Sequence, residues 1–451
     1  MSRPLRWCIV GGGLMGLTLA QRLANAGQKV SVIEGAPEIG GLASAWQLGD
    51  VVWDRHYHVT LLSDLQLRAL LKELDLENDL RWRTTRTGFY AAGHLYPLNN
   101  VIDYLRLPVL NFLDKMRLAA TILYASRIED GRHLEHVSVS EWLTRLSGRR
   151  VFERIWRPLL RAKLGENYKE TSAAFIWAVI RRLYAARRSG LKTEMFGYVS
   201  GGYARVLDSF GKRLRQEHVD LQLGCRVERV EPWGGKLRVR TATGEQLFDQ
   251  VVVTLAAPLA ARICVGLADE EVERLEGIVY QGIICASVLL RRRLAGHYLT
   301  YITDDDAPFT AVVEMSALVD PAELGGYGLV YLPRYVTKED PYWQLSDAEV
   351  EQRFLDALFR MYPFLERTDV DCFRVSRVPH VLAIATLGYS DRLPPMTTTV
   401  AGLHIVNSAH IVNGTLNVNE TVSLAERALP HLLNTALESP SLSNSQMENV
   451  A

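Results

Sequence analysis

The chain has 451 residues, enough for two or three domains with ample core. Its 51 basic and 51 acidic side chains balance, so no bulk field favours nucleic acid, and none is expected as a partner. Five scattered cysteines without a CxxC argue against a disulfide framework or a zinc site, and point to a reducing, cytoplasmic compartment.

Arg3 and Arg6 before an apolar run mimic a secretory leader. A strand explains those residues better, because no small-residue cleavage site follows cleanly. No stretch reaches about 18 uncharged apolar residues, so no membrane span is expected. The nearest, 105–124, carries Arg106, Asp114, Lys115 and Arg117.

The first 41 residues carry the most information. Trp7-Cys8-Ile9-Val10 reads as a buried strand, and Gly11-Gly12-Gly13-Leu14-Met15-Gly16 as a tight turn opening a helix that ends near Gly27. Lys29 to Glu34 reads as a second, parallel strand. Gly11 lets the chain turn, Gly13 clears space for a pyrophosphate, and Gly16 lets helix and sheet approach. The helix start offers free N–H groups to phosphate. Glu34, 18 residues past Gly16, stands where a carboxylate accepts ribose hydroxyls. A lone GxGxxG would be weak evidence; here strand, helix, second strand and acid all fall in place. Gly35 and then Gly40-Gly41-Leu42-Ala43-Ser44 add a second side-chain-poor stretch, which a long cofactor such as FAD requires.

Residues 9–44 resemble the opening of the superfamily of FAD-dependent amine oxidases, protoporphyrinogen oxidases and phytoene desaturases, with UDP-galactopyranose mutase more distantly similar. The resemblance runs on through Asp54-Arg55-His56-Tyr57-His58, Gly201-Gly202-Tyr203 and Thr398 to Leu433. It implies an α/β fold: a Rossmann-like, three-layer β/β/α FAD-binding domain from 1–60, 200–265 and 395–437. The second domain is α+β, with a mixed sheet and helical cap, from 61–199 and 266–394; a disordered tail follows at 438–451. It further implies that Val227 reaches the adenine, that Thr254 lies by the cofactor, and that His58 reaches the flavin face. Asn407 and Ser408 stand where relatives carry Gly-Asp, and Glu420-Thr421 where they carry Gly-Ala. Leu416, Asn417 and Val418 open the closing helix, whose N-terminus stabilises the electron-rich edge of a reduced flavin.

Further along, 61–79 is helical by pattern, with Leu65, Leu67, Leu70, Leu71 and Leu74 on one face. Residues 81–96 alternate and predict a strand pair turning at Gly93-His94. Pro97 to Arg127 reads as a helical insertion, packed on the core or touching a membrane surface. Arginines 145, 149, 150, 154, 157, 161, 181, 182, 187 and 188 form either a solvated, salt-bridged face or an anion site.

A flavin takes a hydride at its N5, so the protein need supply only position, dryness and electrostatics. No metal site is expected. The catalytic candidates are His58, Tyr389 and His380. His56 and His58, two residues apart on a strand, should face the same way. The leading function is an FAD-dependent oxidase, dehydrogenase or desaturase acting on a bulky, largely apolar or lipid-like substrate, with peripheral membrane contact. The alternatives are a non-redox flavin isomerase or mutase, and a cofactor-free lipid carrier on the same fold.

Overall fold

The computed structural model describes residues 3–99, 101–185, 195–304, 306–412 and 414–438. The tail expected at 439–451 and the arginines at 187 and 188 lie outside the described residues.

A five-stranded parallel sheet carries the glycine turn. Its order is Asp220–Gln222, Lys29–Ile33, Arg6–Val10, Gln250–Val253 and Leu403–Ile405. Three distant stretches of chain therefore meet in one sheet. The apolar strand Arg6–Val10 sits at its centre and pairs in parallel on both sides. Alternate residues of that strand feed two cores. Trp7 and Ile9 pack under the helices Leu14–Asn25, Gly202–Gln216 and Val418–Glu438. Cys8 and Val10 pack under an antiparallel meander, Val227–Trp233, Lys236–Thr241 and Gly244–Phe248. This is the β/β/α layering, and each fully buried aliphatic side chain in it contributes roughly 1.5–3 kcal/mol.

A seven-stranded mixed sheet forms the second body. It runs Val370–Ala383, Tyr280–Leu290, Gly328–Val336, Ala311–Glu314, Leu299–Ile302, Thr87–Ala91 and His94–Pro97. One face packs on the helix Asp347–Met361. The other packs on the hairpin Ala45–Leu48 and Val51–Asp54 and on the strand Met195–Val199. The helices Phe112–Arg127, Val139–Ser147, Arg157–Leu164 and Ala173–Ala185 surround a core of their own.

Two local expectations change. The helix expected over 61–79 is shorter, Leu65–Glu73, preceded by a strand Thr60–Leu61. Asp64 accepts the Leu61 N–H and stops the helix extending backward, while Asp75 at φ +59 turns the chain out at its other end. The expected strand pair divides between sheets. Leu80–Thr84 pairs with Met195–Val199, whereas Thr87–Ala91 and His94–Pro97 form the hairpin, turning at Ala92-Gly93.

Candidate cofactor and active site

At Gly11 the backbone adopts φ +113, and a Cβ there would lie 2.5 Å from the Thr254 hydroxyl oxygen. That hydroxyl donates to the Val10 carbonyl at 3.0 Å, locking the turn to its neighbouring strand. A side chain at Gly16 would collide with the Gly11 carbonyl oxygen. The two glycine motifs meet. Gly40 donates its N–H to the Gly12 carbonyl at 2.8 Å, and a Cβ at Gly41 would come 3.2 Å from the Gly13 Cα. The result is a continuous backbone surface. The helix Leu14–Asn25 begins on it with no side-chain cap and no acid in its first turn. Its first N–H groups, those of Leu14, Met15 and Gly16, have no intrahelical acceptor.

Glu34 closes one end of this surface. Its Oε2 accepts the Gly12 N–H at 2.6 Å and its Oε1 the Ala36 N–H at 2.7 Å. A carboxylate has about four acceptor positions, so about two stay open. The segment before Val227 lies against Gly35, and the Cys225 N–H donates to the Glu34 carbonyl at 2.8 Å. Leu42 and Ala43 follow in a short turn, Gly41–Ala43.

The strand Leu403–Ile405 delivers Asn407 and Ser408 to the same end of the sheet. Asn407 is buried; its Oδ1 accepts the Ala409 N–H at 3.0 Å, while its Nδ2 has no partner. Asn417 caps the last helix, accepting the Glu420 N–H at 3.0 Å and donating to the Thr415 carbonyl. Leu416, beside it, packs against both the nucleotide-side core and the helical core.

His56 and His58 meet different partners. The strand ends at Asp54, and the chain then bends, so the two-residue alternation no longer applies. The buried His56 ring turns to the Leu42 carbonyl, 3.2 Å from Nδ1, with Nε2 unpartnered. Burial holds its pKa down to about 4, opposed by the Leu42 contact, so the ring is neutral. His58 turns instead to Tyr203, 4.8 Å between ring centres, and its Nδ1 lies 3.6 Å from Asp54 Oδ2. Asp54 Oδ1 accepts the Tyr203 N–H at 2.7 Å at the start of the helix Gly202–Gln216.

His380 stands edge-on to Tyr280 at 5.4 Å; burial, then Arg262 and Lys338, lower its pKa. Tyr389 is buried and donates its hydroxyl to the Ala409 carbonyl at 2.8 Å. It lines a small cavity with Glu135, Phe175, Ala385, Val412 and Gly414. Four arginines of the basic stretch meet carboxylates: Arg149, Arg150, Arg161 and Arg182 pair with Glu153, Asp114, Glu166 and Asp64.

The sequence patterns contain His56 and Ser44, both beside the glycine surface, but do not single them out as site residues. Ser44, with a buried, unpartnered hydroxyl, was recoverable from the GGLAS string. His56 was not, because its direction depends on where the strand stops.

The model of the flavin-containing amine oxidoreductase family matches residues 14–427. The chain belongs to that family. The coproporphyrinogen III oxidase of Mycobacterium tuberculosis is 27% identical over 288 residues, 59% of this chain and 62% of that protein. The match thus spans less than two thirds of that relative's length. The zeta-carotene desaturase of Solanum lycopersicum is 24% identical over 90% of this chain and 76% of its own. The crystal structure of reduced UDP-galactopyranose mutase matches with a TM-score of 0.73 at 16% identity, covering 98% of each chain, a likeness of fold.

The family's cofactor is FAD, and the residues fit it. The cradle is walled by backbone that a Cβ would fill, and the Ser44 hydroxyl, His56 Nε2 and Asn407 Nδ2 lie beside it buried and unpartnered. Buried polar groups without partners are rare in a finished fold. Among the described residues, no group of three or more His, Cys, Asp or Glu could hold a metal ion. No described helix is long and apolar enough to cross a membrane.

Proposed function

We propose that the chain is an FAD-dependent oxidoreductase that removes a hydride from a bulky, largely apolar substrate. FAD, when bound, would supply the hydride acceptor. The Gly11, Gly13 and Gly16 backbone, with the N–H groups of Leu14 and Met15, would hold the pyrophosphate. Glu34 and Gly35 take the adenosine ribose, and Val227 the adenine edge. Gly41, Leu42, Ala43 and Thr254 border the path to the flavin. Asn407, Ser408 and the helix start at Leu416, Asn417 and Val418 flank its pyrimidine end. The cofactor part comprises 1–60, 200–265 and 395–437, and the substrate part 61–199 and 266–394.

Of the three catalytic candidates, His380, half-buried and edge-on to Tyr280, is assigned to the substrate side of the flavin. Tyr389, its hydroxyl committed to Ala409, and His58, set against Tyr203, are positioning residues.

The observation that carries the substrate class is the junction of the cores. The sheet face bearing Tyr331, Val378 and Val381 packs with Tyr57 in one apolar core, and the helical core around Trp156 and Phe175 reaches Ala385 and Leu416. Those surroundings suit an apolar molecule. The helices Val101–Arg106 and Phe112–Arg127 also expose Ile102, Leu105, Phe112, Leu113 and Met116, at 45–69%. Such a patch supports peripheral contact with a membrane, from which a lipid-like substrate would enter.

The test is anaerobic mixing of the oxidised holoprotein with coproporphyrinogen III, zeta-carotene and other C–H donors. Bleaching of the flavin by one donor is expected. Turnover of a sugar nucleotide only after chemical reduction, with no net electron uptake, would replace this reading with a non-redox isomerase.

A further inference from the structure

Between the helical cap and the large sheet lies a second polar cluster, away from the cofactor cradle. Lys163, on the helix Arg157–Leu164, places its Nζ 3.4 Å from the Tyr335 hydroxyl and 4.8 Å from that ring's centre. Tyr335 in turn meets the Tyr57 hydroxyl at 3.1 Å. Tyr57 is next in sequence to His56, whose ring rests on the Leu42 carbonyl. Gln281, on the neighbouring strand, is fully buried. Its Oε1 accepts from Asn167 at 3.3 Å, and its Nε2 has no partner. The end of the Lys163 helix approaches Gln281: a Cβ at Gly165, two residues on from Lys163, would lie 3.7 Å from Gln281 Nε2.

The inventory of this cluster is one-sided. Lys163 can only donate, Gln281 Nε2 can only donate, and the hydroxyls can do so. Among the described residues no carboxylate pairs with Lys163; the nearby Glu166 is held by Arg161 and Lys169. Thr337 lies beside Gly165, and Lys338 follows it. Burial first, then Arg262 and Lys338, depress the pKa of His380. The buried Gln281 amide N–H without an acceptor is costly, and the half-buried Lys163, whose hydrogen bond to Tyr335 uses one of its three donors, has two to spare; an anion would satisfy both.

We infer that Lys163, Gln281 and Tyr335 form a subsite for an anionic group of the substrate, a carboxylate or a phosphate monoester, which anchors an otherwise apolar molecule. This rests on the reading of the junction as the substrate chamber. It adds that the substrate is amphiphilic and enters with a fixed end. Lys163 supplies the charge, Gln281 a directed hydrogen bond, and Tyr335 a hydroxyl held in place by Tyr57.

The probes are benzoate, phenyl phosphate and neutral benzamide, titrated into the FAD-loaded protein by calorimetry. Benzoate or phenyl phosphate should bind at least tenfold more tightly than benzamide, and the tighter anion identifies the source. Lys163→Met should weaken the anion at least tenfold without changing benzamide binding, Lys163→Arg should retain it, and Gln281→Leu should weaken it several-fold. Flavin content and circular dichroism establish that each variant is folded. If Lys163→Met does not fold, Lys163→Gln and Tyr335→Phe take its place. Anion binding that is absent, or unchanged in the folded Lys163 variants, overturns the subsite. Flavin bleaching by a neutral apolar donor in the same preparation would leave the oxidoreductase reading standing, so the two failures are distinguishable.

Discussion

Gly41 and Gly13 face each other across the cofactor cradle so closely that a Cβ on Gly41 would stand 3.2 Å from the Gly13 Cα. Gly41 also holds φ +57, where a branched side chain is strained. Gly41→Val should therefore narrow the cradle and twist its wall. Expected is a folded protein whose flavin content after desalting falls at least tenfold. Full flavin retention would show that the cofactor does not pass between these glycines.

Asp54 ties the hairpin Val51–Asp54 to the helix Gly202–Gln216. Its side chain takes the Tyr203 N–H, and its own carbonyl accepts the Tyr331 hydroxyl at 2.5 Å. Asp54→Ala would leave a buried N–H unpaired and free the His58 ring. A loss of about 1–3 kcal/mol is expected. Denaturant unfolding of the holoprotein measures it, and a change under about 0.5 kcal/mol, the ordinary surface value, would contradict the assignment.

Two buried histidines make stability depend on pH. Burial lowers His56 to about 4, and burial, then His431, lowers His404 to about 4. An unfolded histidine titrates near ~6.5. Below that pH the unfolded chain binds protons that the folded chain refuses. The stabilisation is whole above pH ~6.5 and is lost progressively as pH falls toward 4. Each site accounts for up to roughly 3 kcal/mol, at about 1.4 kcal/mol per unit. His404→Gln, which can still donate to Gln250, should flatten the fall between pH 7 and pH 5. An unchanged slope would remove His404 from the explanation.

The exposed patch on the two cap helices makes a separable prediction. Phe112→Ser with Leu113→Ser should abolish co-sedimentation with phospholipid vesicles while leaving flavin content intact. Equal sedimentation of variant and parent would locate membrane contact elsewhere, and a parent that never sediments would refute it.

What the sequence disclosed follows from how local each constraint is. The glycine turn was legible because Gly11 and Gly16 answer to clashes with Thr254 and the Gly11 carbonyl itself, which no other residue tolerates. The parallel strands were legible as short apolar runs. The directions of His56 and His58 were not, because they depend on a strand ending at Asp54. The helix after residue 61 was read too long, because Asp64 and Asp75 act through backbone bonds and a positive φ that leucine spacing hides. The Tyr57–Tyr335 contact joins residues 278 apart, and no periodicity announces such a pair.

The visible spectrum of the purified, FAD-supplemented and desalted protein tests the central claim most directly. The geometry predicts a yellow protein with the absorption bands of oxidised flavin and one FAD per chain. A protein that stays colourless, with no FAD released on denaturation, would contradict it.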